Sequence, residues 1–219
     1  MSQDQLVQNT IHFVKKTLVE AEGGHDWFHI ERVYNTANLI LKNEQADELV
    51  VRLSALLHDI ADPKFHNGDE SIGPKIAQKF LREQNISEDT IDHVVKIIQY
   101  MSFKNSLDKT QGSFTSKEME IVQDADHLDA MGAIGIARAF NYGGFKNRAL
   151  YDPSMPPNPN MTKEEYKTSN APTINHFYEK LLLLKDGIHT ETGKKIALER
   201  HQFMLEYLEQ FYKEWNGRD

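Results

Sequence analysis

The alternation of apolar and polar positions along the chain has a helical period almost throughout. Leu6, Ile11, Phe13, Val14 and Leu18 predict an amphipathic first helix that stops near Gly23-Gly24. Asp26 is placed to cap a second helix, whose apolar face is Ile30, Val33, Tyr34, Ala37, Ile40 and Leu41. A third begins near Asp47 and runs through Leu49, Val50, Leu53, Leu56 and Leu57. After a polar loop over 64–70, Ile72, Ile76, Ala77, Phe80 and Leu81 predict a fourth, stopped near Asn85. Ser87 caps a fifth with the stripe Ile91, Val94, Val95, Ile97 and Ile98, and Glu88 and Asp89 suit its positive N-terminal end.

Residues 102–115 read as an exposed loop. Ser116 then opens a helix predicted to run through Met119, Val122, Ala125, Leu128, Met131 and Ile134 to Tyr142, where Gly143-Gly144 ends it. The stretch 151–160 holds four prolines and cannot be regular helix. Thr162-Lys163-Glu164-Glu165 has the form of a capping box. Two last helices are expected over 172–186 and 190–215. No strand-like alternation interrupts this series, so the expected fold class is all-α, one globular domain over 1–219. The Pro-rich loop is the sole candidate boundary, and the roughly sixty residues after it would be marginal alone. The helices of 162–215 are therefore expected to pack on the rest.

Composition narrows the chemistry. A formal charge of −8 argues against a general grip on nucleic-acid backbone. With no cysteine, any metal must be held by nitrogen and oxygen. The segment Met1–Gln5 lacks the basic and apolar parts of a signal peptide, and no apolar run nears the ~20 residues that span a bilayer. The expected compartment is the cytoplasm, with no membrane partner.

His58-Asp59 closes the apolar run Leu53–Leu57, and burying either group without a partner is costly. A hydrogen-bonded pair would answer that cost; so would a divalent metal ion. His25 and His29 share the four-residue spacing of two-histidine metal motifs, but His25 falls at or before the helix start, so the zinc-protease motif is rejected and His29 alone is kept. Asp124, Asp126 and Asp129 interrupt a segment that is otherwise apolar, and one buried carboxylate is expected among them.

Taken in order, His29 with Arg32-Val33, His58-Asp59, and Asp126 within Ala125–Leu128 resemble the H…HD…D pattern of the HD-domain metal-dependent phosphohydrolases. The resemblance spans the core region 25–140. Residues 132–138 and 175–181 are similar to the small stand-alone bacterial members, some of which are nucleotide pyrophosphohydrolases. The resemblance implies an HD-domain helical bundle and the ligand set His29, His58, Asp59 and Asp126 around one divalent metal ion. Mn2+ or Mg2+ is favoured, and Fe2+ or Ni2+ is compatible with the same donors. It places catalysis on Asp59 and Asp62, with Asp62 as general base.

Two-metal members add two histidines. His66 matches the first, but the second falls at Met101 or Ser102, a departure that favours one metal. His66 then joins Lys64, Glu70, Arg138, Lys146 and Arg148 as a substrate-binding candidate, with Phe65, Phe103, Phe145 and Tyr151 available to stack on a base. The expected partner is a small nucleotide rather than nucleic acid, and exposed positions on the last helix permit a homodimer. The implied reaction is release of pyrophosphate from a nucleoside triphosphate. A nucleoside 5′-monophosphate phosphatase and a non-catalytic nucleotide sensor are the alternatives. A di-iron oxygenase would need the histidine missing near 101.

Overall fold

The computed structural model describes residues 1–19, 26–61, 69, 71–101, 114–162, 165 and 168–218. All its regular elements are helices: α1 (Gln3–Thr17), α2 (Trp27–Leu41), α3 (Glu48–Leu57), α4 (Ile72–Glu83), α5 (Glu88–Tyr100), α6 (Lys117–Asp129), α7 (Gly132–Phe145), α8 (Asn175–Glu179), a 3-10 turn (Leu181–Gly187) and α9 (Glu191–Trp215). The chain forms two compact units, Met1–Asp126 and His127–Asp219.

In the first unit α3 is the central element. Its Val50, Val51, Leu53, Ser54, Ala55, Leu56 and Leu57 are all buried, so it lacks the polar face of a surface helix. It packs against α1, α2 and α5, while α4 lies on α5. Each buried Leu, Ile or Val there contributes roughly 1.5–3 kcal/mol, enough to fix where the end of α3 lies. Helix starts are fixed locally. Ser2, Asp26, Asp47, Ser87 and Thr190 each accept a bond from a first-turn N–H, contributing ~1 kcal/mol apiece.

The second unit gathers Ile136, Ile174, Phe177, Leu181, Ile188, Ala197, Met204 and Leu208 in its core. Phe177 stacks on Tyr207 with ring centres 5.9 Å apart. The capping box forms as expected, with Thr162 N–H donating to Glu165 and Glu165 N–H to Thr162 Oγ1.

Three helix expectations are corrected. The helix expected to run unbroken from 116 to 142 breaks after Asp129, because Gly132 takes a left-handed φ of +67°, which other residues adopt only at a cost. A Cβ there would also meet the Arg200 side chain at 3.0 Å. Gly143-Gly144 does not end α7, which continues to Phe145. Gly143 instead gives room to Thr173, whose Oγ1 a Cβ would overlap. The expected 172–186 helix is only one turn of α-helix, broken at Lys180 (φ −145°, ψ −57°) and followed by the 3-10 turn.

Candidate metal centre

Three helices deliver the site. His29 sits in the first turn of α2, where its own N–H donates to the capping carboxylate of Asp26 at 2.9 Å. His58 is the C-cap of α3. Its Nδ1 lies 2.9 Å from Ala55 O. A carbonyl only accepts, so Nδ1 carries a proton, and in the neutral ring the lone pair is then on Nε2. Asp126 comes from the last turn of α6.

His29 Nε2 lies 3.4 Å and His58 Nε2 4.0 Å from Asp126 Oδ1. The imidazole rings stand edge to face, 5.4 Å between centres. Among the described residues these three form the one group of at least three candidate ligands whose donor atoms all lie within 4.8 Å of one another. The imidazoles are nearly closed to solvent, with side-chain exposures of 4 % and 6 %, whereas Asp126 is 39 % exposed. The arrangement has two aromatic donors on a dry floor and one carboxylate facing out.

Its electrostatics favour a cation. His58 and Asp126 stand at the C-terminal ends of α3 and α6, where unsatisfied carbonyls carry partial negative charge. Among the described residues, His58 Nε2 is buried and has no hydrogen-bond partner. An acceptor left so costs about 1–3 kcal/mol, which a bound cation would remove. Nitrogen and carboxylate donors in this number suit a divalent first-row ion, so the residues present fit the metal that the sequence pattern implies.

Asp59 is half-buried beside His58 and stands outside the three-residue group. Asp62, Lys64, His66 and Glu70 lie outside the described residues, as do Phe65 and Phe103. Arg138 pairs with the carboxylate of Asp129, which is 3 % exposed. Lys146 rests 5.0 Å from the ring centre of Phe145, and Arg148 donates to Ser169 O at 2.7 Å. Tyr151 packs edge-on against Phe211, Tyr212 and Trp215. Met101 ends α5 and packs against the core of the first unit.

The expectation of one buried carboxylate among the three aspartates is also corrected. Asp124 and Asp129 are both buried, while the one beside the histidines is the most open. Sequence reading missed the part played by Glu118 and His93 at the start of α6, where His93 Nε2 lies 3.0 Å from Ser116 Oγ and 3.5 Å from Glu118. The signal was a histidine on the amphipathic α5, with a serine opening the next helix.

Comparison with known proteins agrees with this geometry. The HD domain family model matches residues 27–131, a span that holds His29, His58, Asp59 and Asp126. An HD-superfamily hydrolase from Bacillus thuringiensis is 41 % identical, with 98 % of this chain and 99 % of that one covered at a TM-score of 0.80. YpgQ of Bacillus subtilis, solved in complex with ADP, is 34 % identical over 98 % of this chain and 97 % of its own, with a TM-score of 0.77. A protein of Acanthamoeba polyphaga mimivirus is 31 % identical, covering 86 % of this chain and 88 % of its own. With its all-α fold, its His-His-Asp cluster and these relatives, the chain belongs to the HD-domain superfamily of metal-dependent phosphohydrolases.

Proposed function

We propose that the protein hydrolyses a nucleoside triphosphate between its α and β phosphates, releasing a nucleoside monophosphate and pyrophosphate. His29, His58, Asp59 and Asp126 would hold one divalent ion, Mn2+ or Mg2+ by preference. The observation that carries the reading is the buried Nε2 of His58, which has no hydrogen-bond partner among the described residues and faces Asp126 and His29. The ADP complex of YpgQ, a protein similar to this one over nearly its whole length, supports a nucleotide as the ligand class.

When bound, the ion would supply Lewis acidity toward a phosphoryl oxygen and lower the pKa of an attacking water. The chain's own residues do the rest. The Ala55 carbonyl holds the His58 ring in one tautomer, so Nε2 is presented without a rotamer search. Asp126 contributes its carboxyl group at the open side. The Asp62 carboxylate takes the proton from the attacking water. Lys64, His66, Glu70, Arg138, Lys146 and Arg148 are assigned to the substrate, and for Arg138 that requires leaving Asp129.

A nucleotide panel with product identification tests the proposal. Equimolar pyrophosphate and monophosphate from a triphosphate is the expected result. Stepwise release of orthophosphate would sink it in favour of a phosphatase, and binding without turnover would favour a sensor.

A further inference from the structure

We infer that Glu118 is a positioning residue for Asp126: its carboxylate ties the start of α6 to the start of α3 and thereby sets where both helices end. The inference rests on the metal reading of the His29–His58–Asp126 cluster.

Glu118 Oε1 accepts the N–H of Asp47, the N-cap of α3, at 2.9 Å. Its Oε2 lies 3.5 Å from His93 Nε2 on α5, and its side chain is 14 % exposed. The residues just before it are tied as well. Lys117 Nζ reaches Glu44, ahead of α3, at 3.1 Å, and Ser116 Oγ meets His93 at 3.0 Å. Ser116, His93 and Glu118 are not a nucleophile triad, because the serine and the carboxylate face the same ring nitrogen. Burial pushes the Glu118 carboxyl up, but the Asp47 N–H, its own N–H, the Ser116 hydroxyl and His93 together hold it below the usual carboxylate range.

The geometry turns these ties into a lever on the site. From Asp47 to His58 the chain climbs about 16 Å along α3, and from Glu118 to Asp126 about 12 Å along α6. Both helices start at the tie and finish where His58 Nε2 is 4.0 Å from Asp126 Oδ1, so they run parallel and meet at each end. Parallel N-termini bring two positive dipole ends together, and a carboxylate between them offsets that repulsion. If α6 slipped by one residue, Asp126 would move about 1.5 Å and turn about 100°, away from both imidazoles.

The test is calorimetric titration of the metal-free protein with Mn2+, beside its thermal midpoint, for wild type, Glu118→Ala and Glu118→Gln. Glu118→Gln keeps an oxygen acceptor for Asp47. The expected result is Mn2+ binding weakened by about 10-fold or more in Glu118→Ala, the range seen when a group behind a ligand is lost, and restored to within about 3-fold in Glu118→Gln. If Glu118→Ala does not fold, Glu118→Asp, one methylene too short for Asp47, replaces it with the same expectation. Wild-type affinity in the shortened variant overturns the inference, as does equal weakening in Glu118→Gln. Wild-type protein that binds no divalent ion removes the metal reading and the inference with it.

Discussion

Asp126 and Asp129 stand three residues apart at the end of α6 and meet opposite surroundings. Asp129 is buried against the guanidinium of Arg138, and Arg200 donates to the neighbouring carbonyl of Leu128. Its charge is matched by permanent cations. Asp126 faces two imidazoles, one with a buried ring nitrogen that no hydrogen bond among the described residues satisfies. Asp129 completes an ion pair with Arg138, whereas the described groups facing Asp126 are two imidazoles. The difference teaches that buried charge alone does not mark a site. Among the described residues, what sets the ligand group apart is two imidazoles facing its carboxylate where Asp129 has a guanidinium.

The largest expected effect breaks the open side. Asp126→Ala should weaken divalent-ion binding by at least ~100-fold, beyond the loss usual for groups behind a ligand, and abolish turnover. Its metal-free thermal midpoint should hold, because the side chain is substantially exposed.

Asp129→Ala should do the reverse. It leaves a partly buried guanidinium without its carboxylate, which costs about 2 kcal/mol in urea unfolding. That is less than the ~3–5 kcal/mol of a fully buried pair, because Arg138 is 32 % exposed. Metal affinity in the folded protein should change little. Gly143→Ala, which drives a methyl into Thr173, should cost about 1–3 kcal/mol as overpacking, again with metal binding retained.

A smaller, graded effect comes from His176. Burial, with Lys180 and Arg148 nearby, lowers its pKa to about 4. The unfolded chain, with His near 6.5, then binds the proton more readily than the folded one, so stability is intact above about pH 6.5 and is lost as pH falls toward 4. Replacing His176 with Gln should flatten that part of the pH–stability curve and leave the metal site alone.

Most helices were legible because their apolar periodicity and caps are local. The break after Asp129 was not, since Met131 and Ile134 continue the period and the interruption depends on a left-handed Gly132 packed against Arg200, far along the chain. The leucine run 181–184 has no apolar stripe from which to tell an α-helix from the 3-10 turn it forms. At the site, the order of His29, His58 and Asp126 was readable, and the structure brings these three together. That Arg138 would meet Asp129 was hidden, because the pair forms across the helix break. The tie from Glu118 to Asp47 was hidden for a like reason, spanning seventy-one residues.

The most direct test of the central claim is metal content and affinity in wild type against His58→Ala, each purified without oxygen and titrated with Mn2+. The account predicts about one ion per chain in wild type and none retained in His58→Ala, with a folded metal-free protein in both cases. Equal metal content in the two proteins would contradict it.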